Sequence, residues 1–359
     1  MNSPAPTSIS LRTSAAPASR ARPILPGPRI VALGGGTGLP VVLRGLKSLL
    51  APPLGGEPQA ATDRDRLTAI VTVSDDGGSS GRLRRTYGML APGDVRNCLL
   101  ALSEGTDPLA SLFGFRFNHH GEMSGHSLGN LILAALSQME SNFERAVERA
   151  GEILGIRGRV LPATGAAIGL EAELEDGTRI TGESRIAGAR GRVRRIRLQP
   201  EASALPQALE AIGNADCVVI GPGSLYTSLI PVLLTGGLSE AIARSRARVV
   251  LVMNLMTEPG ETDGYGAGEH LVALRAHAPG LPVHDVILNS ASLADPVRRR
   301  YAAHGAQPLP VEPKALAALE CRVCVADVLA AGPEVRHDAH KLARAILDLA
   351  ASPALAGRA

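Results

Sequence analysis

Aromatic residues are scarce: Phe, Tyr and Trp together make up 2% of the 359 residues, and tryptophan is absent. The core therefore has to be built from Ala, Val, Leu and Ile. The same scarcity argues against binding of single-stranded nucleic acid, which relies on aromatic faces for base stacking. Lysine is nearly missing as well, with only Lys47, Lys314 and Lys341. Neither sign of charge dominates. Lys+Arg of 37 against Asp+Glu of 34 gives a net charge of +3, too close to balance for a non-specific binder of nucleic acid or membrane.

Cysteine is also sparse. Cys98, Cys217, Cys321 and Cys324 are too few and too scattered for a disulfide framework and fit a reducing, cytoplasmic setting. Cys321-Arg322-Val323-Cys324 has the spacing of half a zinc site or a redox pair, but no second pair follows, so it reads as structural. No apolar run approaches the roughly 20 residues a membrane helix needs, so no membrane insertion is expected. Residues 1–28 hold six prolines and no apolar h-region, and are expected to form a disordered tail rather than a signal peptide. Residues 351–359 are expected to form a second tail.

What the chain does have is glycine, placed where apolar strands end. Gly34-Gly35-Gly36-Thr37-Gly38 follows Ile30-Val31-Ala32-Leu33, and Ser74-Asp75-Asp76-Gly77-Gly78-Ser79-Ser80-Gly81 follows Ala69-Ile70-Val71-Thr72-Val73. A strand running into glycines and then a helix lets backbone N–H groups approach an anion, and the helix N-terminus adds partial positive charge. The first loop matches neither G-x-G-x-x-G nor a P-loop, because Leu39 stands where the last dinucleotide glycine would be and no Gly-Lys-Ser/Thr follows. Asp75 and Asp76 are placed to accept ribose hydroxyls or to hold Mg²⁺ beside a diphosphate, and Arg82 follows as a basic neighbour.

Strand and helix signals alternate along the chain. Strand 29–33, helix 39–50, strand 67–73, a helix capped by Asp94 and ending near Ser103, helices 127–138 and 142–154, strand 215–220, a helix from Ser224, strand 247–252, a helix near 266–277, strand 284–288 and a helix near 295–303 predict an α/β fold. Its expected form is a doubly wound, mainly parallel, Rossmann-like sheet. Residues 105–125 read as a loop carrying Phe113, Phe115 and Phe117. The region near 158–199 reads as an antiparallel insertion: strands 171–174 and 178–181 are joined by a turn at Asp176-Gly177, and strand 191–198 pairs nearby. A single domain is expected over 29–350.

Further small-residue loops fall on the same sheet edge. Pro92-Gly93-Asp94-Val95-Arg96-Asn97 puts Arg96 and Asn97 in a first helical turn. Gly125-His126-Ser127-Leu128-Gly129-Asn130 offers His126 and Asn130, and Gly221-Pro222-Gly223-Ser224 is a third strand-glycine-helix unit. Asn254-Leu255-Met256-Thr257-Glu258-Pro259-Gly260-Glu261-Thr262 is a fourth polar strand-end loop. The loops are expected to surround a single nucleotide-diphosphate pocket. No nucleophilic constellation emerges: there is no G-x-S-x-G elbow and no H-E-x-x-H.

These six motifs together, in order over residues 29–350, closely resemble the YvcK family, named for gluconeogenesis factors and for UDP-N-acetylglucosamine binding. The resemblance implies a cytoplasmic bacterial protein that binds UDP-sugars and is needed for normal cell shape and peptidoglycan wall synthesis on gluconeogenic carbon sources. It also implies kinship with the 2-phospho-L-lactate transferases of coenzyme F420 synthesis, which share a CofD-like fold. In YvcK-like proteins an arginine of an Arg-His-Asp motif is tied to UDP-sugar binding, and Arg336-His337-Asp338 matches it. Ala339 follows, a departure from members that carry a phosphorylatable threonine thereabouts, which leaves phosphorylation control open.

The expected ligand site is Gly35, Gly36, Thr37, Gly38, Asp75, Asp76, Gly77, Gly78, Ser79, Ser80, Arg82, Asp94, Arg96, Asn97, Asn130, Gly221, Gly223, Ser224, Asn254, Thr257 and Arg336. In it the glycine loops hold the diphosphate, Asp75 or Asp76 the ribose or a metal, and Arg336 the charged part of the ligand. No catalytic residue and no firm cofactor is assigned. The alternative is a phospholactyl- or phosphoryl-type transferase with Mg²⁺ at Asp76 and a deazaflavin acceptor, a pocket the aromatic poverty disfavours. Expected partners are a nucleotide sugar and wall-synthesis proteins, with homo-oligomerisation left open.

Overall fold

The computed structural model describes residues 27–50, 64–104, 108–118, 120–140, 142–189, 191–310 and 320–352. The tail expectations for 1–26 and 353–359 lie outside them. The chain folds around a seven-stranded, all-parallel sheet of order β10-β9-β8-β7-β1-β2-β3. Its strands are β1 (Ile30–Gly34), β2 (Leu67–Val71), β3 (Arg159–Pro162), β7 (Cys217–Ile220), β8 (Arg248–Val252), β9 (Asp285–Asn289) and β10 (Arg322–Ala326). Successive residues of a strand face opposite sides, and every residue of β1, β2, β7 and β8 is buried, so both faces of the sheet centre are covered. This is the doubly wound architecture, and the continuous apolar runs in these strands are its sequence counterpart.

The helices are α1 (Gly38–Leu50), α2 (Gly78–Tyr87), α3 (Gly93–Leu102), α4 (Pro108–Gly114), α5 (Leu128–Met139), α6 (Phe143–Ile153), α7 (Glu183–Ala187) and α8 (Pro206–Gly213). A π-turn at Leu225–Leu229 runs into α9 (Ile230–Leu233), followed by α10 (Leu238–Arg244), α11 (Ala267–His277), α12 (Asp295–Ala302) and α13 (Ala339–Ala350). The C-terminal α13 lies against α1 so closely that a Cβ on Gly45 would sit 1.9 Å from the Ala339 carbonyl oxygen. That contact brings the segment before α13 to the edge of the sheet where the loops are.

The antiparallel insertion is a separate three-stranded sheet of order β5-β4-β6, from β4 (Gly169–Leu174), β5 (Arg179–Thr181) and β6 (Val193–Gln199). Buried and half-buried residues alternate along β4, as expected for a sheet with one covered face. Three expectations need correction. The insertion begins after β3, because Arg159–Pro162 pairs with β2 in the main sheet instead. Residues 105–125 contain α4, whose first residue is Pro108, a residue preorganised for a first turn, and which buries Ala110 and Phe113. Asp94 does not cap α3: Pro92 occupies the N-cap position, no side chain caps it, and the Asp94 carboxylate is drawn elsewhere.

Candidate functional site

The strand order reverses between β1 and β7, a topological switch point. Ligands of open α/β sheets bind in the crevice outside the strand ends at such a point. Here the first glycine loop leaves β1 and the third leaves β7, and they touch: a Cβ on Gly38 would lie 2.2 Å from the Pro222 carbonyl oxygen. Asn254, beyond β8, fastens the third loop by accepting from the Gly223 N–H at 3.0 Å and donating to the Gly223 carbonyl at 3.0 Å. Its amide also donates to Glu258 at 3.2 Å, and the Ser224 hydroxyl donates to the same carboxylate. Glu261 accepts from the Tyr226 and Thr227 N–H groups, and burial together with Glu258 raises its carboxyl well above the usual range.

A cleft of about 760 Å³ opens over these loops. Gly36, Thr37, Gly38, Asn97, Gly223, Ser224, Asn254, Thr257 and Arg336, all expected site residues, line it. The Arg336-His337-Asp338 triplet divides its work. Arg336 faces the cleft with its side chain 68% exposed, paired with Glu334 at 2.5 Å. His337 anchors the segment at the Met253 carbonyl at 3.2 Å, and burial pushes its imidazole down to about 4, so it is neutral. Asp338 caps α13 by accepting from the Lys341 N–H at 2.9 Å.

Arg44, Glu183, Glu258 and Tyr301 are among the cleft residues not anticipated as site residues. Arg44 lies two helical turns beyond the first loop, and partial burial and the neighbouring Arg336 lower its pKa. Its signal in the sequence is a lone arginine among apolar positions of α1. Glu183 comes from the insertion, so only the tertiary fold brings it here. Burial pushes its carboxyl up to about 7, with Asp75, Asp76 and Asp94 adding to the rise. A second hollow of about 420 Å³, walled in part by Asn289, Ser290 and Ser292, adjoins the cleft at Asn254 and Leu255.

The second glycine loop builds a different compartment, so the expectation of one pocket is corrected to two. Asp75, Gly77, Gly78, Ser79, Ser80, Asp94, Arg96, Asn97 and Asn130 surround a pocket of about 220 Å³, and Asn97 lines both spaces. Asp94 forms part of the wall between them by accepting from the Gly36 N–H at 2.8 Å. Burial pushes the Asp94 carboxyl up to about 6. The Gly36 N–H pulls against that rise, Asp75 adds to it and Arg96 opposes it. Arg96 donates to Asn130 at 2.9 Å and to Asn97 at 2.7 Å, while Asn130 donates to the Ser79 hydroxyl at 3.1 Å, which meets His126 Nδ1 at 3.0 Å.

Four expected residues line neither space. Gly35 and Gly221 lie behind the loop surfaces. The Arg82 guanidinium turns away to the Ser124 carbonyl at 2.6 Å. Both Asp76 oxygens are occupied, accepting from the Glu183 N–H at 3.1 Å and the Ser184 N–H at 2.9 Å, which caps α7. Among the described residues no group of three His, Cys, Asp or Glu side chains is placed to hold a metal. Asp76 is thus anchored to the insertion by one hydrogen bond on each oxygen.

Fold and site together define a doubly wound α/β protein with its cleft at the topological switch point. The chain belongs to the CofD family: the family described as 2-phospho-L-lactate transferase CofD matches residues 30–329. It is 45% identical over 322 residues to the gluconeogenesis factor of Halalkalibacterium halodurans, covering 89% of this chain and 95% of that one. It is 41% identical to the gluconeogenesis factor of Bacillus subtilis, covering 90% and 98%. A crystal structure of a UPF0052-family protein from Bacillus halodurans superposes with a TM-score of 0.83 at 44% identity, covering 90% of this chain and all of that one. No helix among the described residues is long and apolar enough to cross a membrane.

Proposed function

We propose that the 760 Å³ cleft binds a UDP-sugar of the UDP-N-acetylglucosamine type, and that the protein uses this binding to regulate cell shape and peptidoglycan synthesis in the cytoplasm during gluconeogenic growth. The observation that carries the reading is the junction of the first and third glycine loops in a cleft that Arg44 and Arg336 also line. Glycine-loop backbone and two guanidinium groups lining one cleft suit a diphosphate. The adjoining hollow beyond Asn254 gives the nucleoside a polar recess. Relatives bearing the name gluconeogenesis factor support the physiological setting.

Calorimetric titration of the full chain with UDP-N-acetylglucosamine tests it. Saturable binding that Arg336→Ala greatly weakens is expected, with the sugar nucleotide recovered unchanged. Absence of binding by the intact protein overturns it. One observation favours a second reading, a phospholactyl-type transferase: the name of the matching family. Incubation with a nucleoside-diphosphate donor, a deazaflavin acceptor and Mg²⁺ separates the two, since only a transferase consumes the donor.

A further inference from the structure

We propose that the outer face of α4 and α5 binds a second copy of this chain, making the protein a two-fold dimer whose interface is centred on α5. The inference goes beyond the ligand reading and does not depend on it.

The sequence of α5, Leu128-Gly129-Asn130-Leu131-Ile132-Leu133-Ala134-Ala135-Leu136-Ser137-Gln138-Met139, contains no charged residue. At about 3.6 residues per turn, one side of the helix gathers Gly129, Asn130, Leu133, Ala134 and Leu136, all buried against the rest of the fold. The other side gathers Leu128, Leu131, Ile132, Ala135 and Met139, with Gln138 at its edge, and these are half-buried or exposed. A surface helix ordinarily turns charged residues to water on that side. A helix apolar all round is one covered on every side, yet a single chain covers only one side of α5.

Neighbouring elements extend the apolar face. Among the described residues nine large hydrophobic side chains are exposed, and six of them lie here: Tyr87, Leu109, Leu112, Phe115, Met123 and Met139, at 41–76%. Leu109 and Leu112 stand one turn apart on α4. The Phe115 carbonyl accepts from the Leu128 N–H at 2.9 Å, which joins α4 to the open side of α5. Tyr87 and Met123 share a hollow of about 280 Å³ with Leu131 and join it from the other flank. Single exposed apolar residues are ordinary, but their grouping marks an interaction surface.

Area, composition and charge single out the occupant. The exposed parts of these six side chains amount to about 700 Å², near the roughly 800 Å² that each partner of a specific complex buries. Homodimer interfaces are more apolar than those of transient complexes, as the uncharged open side of α5 requires. The rim carries both signs, with Arg85 near Tyr87, Glu122 next to Met123 and Glu140 next to Met139. A two-fold axis sets a patch against itself, which a rim of one sign resists and a mixed rim permits. An anionic lipid surface would instead call for a basic rim with tryptophan, and the chain has no tryptophan. Ala135, the smallest residue on the open side and near its middle, lets two α5 helices cross closely there.

Sedimentation velocity of the full chain at about 50 µM tests the proposal, a concentration above the micromolar limit of the weaker interfaces of this size. A mass of about 74 kDa is expected, twice that of the 37.1 kDa chain. Ala135→Arg, at a position exposed in the single chain, should weaken association at least about 100-fold by setting like charges face to face, its fold checked by circular dichroism and melting temperature. Ala135→Glu should do the same, and an equal mixture of the two variants should recover the dimer mass. Leu112→Glu disrupts the flank independently, while Val272→Glu, at a 67% exposed position on α11, should leave the dimer intact. A monomeric wild type overturns the proposal, and flotation of that monomer on phosphatidylglycerol vesicles would give the face to a lipid surface. A dimer that survives either Ala135→Arg or Leu112→Glu, or a mixture of the two Ala135 variants that stays monomeric, overturns it as well.

Discussion

Replacing Gly38 by alanine sets two physical effects against each other at the centre of the cleft. Helix propensity favours alanine, by up to about 1 kcal/mol in a helix interior and less at the first residue of α1. Sterics oppose it. The added Cβ would meet the Pro222 carbonyl oxygen at 2.2 Å and its carbonyl carbon at 2.7 Å. These are backbone atoms of the third loop, fastened by Asn254, so no flexible side chain can yield. Relief requires the loops to part by about 1 Å, and overpacking of this kind costs about 1–3 kcal/mol. Sterics therefore win, and calorimetric melting should show a drop of several degrees, at about 2–4 °C per kcal/mol for large domains. Parting the loops also misplaces the Ser224 wall relative to the first loop. Loss of one hydrogen bond to a charged phosphate, about 1.5–3 kcal/mol, would weaken UDP-N-acetylglucosamine by about ten- to 100-fold. Gly213→Ala is the control, since a Cβ there meets nothing within 4 Å. A Gly38→Ala protein that melts at or above the wild-type temperature with intact ligand binding would refute the reasoning.

Further outcomes follow from individual side chains. Arg44→Ala, which removes an exposed cation beside Arg336, should leave the melting temperature within a degree or so and reduce nucleotide-sugar affinity about tenfold, as read by calorimetry. Asp285 lies fully buried between Arg248, at 2.5 Å, and Arg322, at 2.5 Å, so Asp285→Asn should cost about 3–5 kcal/mol in urea denaturation by leaving Arg248 buried without its counter-charge. Two groups oppose each other in acid. Asp94, raised to about 6, holds a proton in the folded state that the unfolded chain has lost above about pH 4. Its contribution is therefore present below that pH and falls as pH rises to 6, by at most about 3 kcal/mol. His337, lowered to about 4, stays neutral when folded while the unfolded chain binds a proton below about pH 6.5, so its contribution rises with pH between 4 and 6.5 by a similar amount. Denaturation midpoints across pH 4–7 should rise more steeply in Asp94→Asn than in wild type and less steeply in His337→Gln. Unchanged profiles in both would remove these assignments.

Much of the fold is legible because periodic burial leaves a periodic mark. The central strands read as apolar runs since both of their faces are covered, and helix ends come within a residue or two of Gly38, Leu102 and His277. The elements that escape are those whose sequence carries little of that mark. β3 has four residues and lies at an edge, α4 has seven, and β10, which takes in Arg322-Val323-Cys324 at the opposite edge just after Cys321, is only half-buried. The cysteine spacing reflects an edge strand, and both thiols are raised by burial.

The sequence by itself determined that strands end in glycine-rich loops, and parallel pairing then obliges those loops to share one edge of the sheet. It also determined the family, through motifs that stand in order along the chain. Only the tertiary structure decided what each polar group does there. Asp94 reads locally as a helix cap but bonds the Gly36 N–H, 58 residues away, and Asp76 reads as a metal ligand but caps α7, 107 and 108 residues away. The same long-range folding put Arg44, Glu183 and Arg336 on one cleft and gave the second glycine loop a compartment of its own. A side chain with several partners close in energy is committed by the partner that burial brings nearest, and that partner is set by packing of the whole chain.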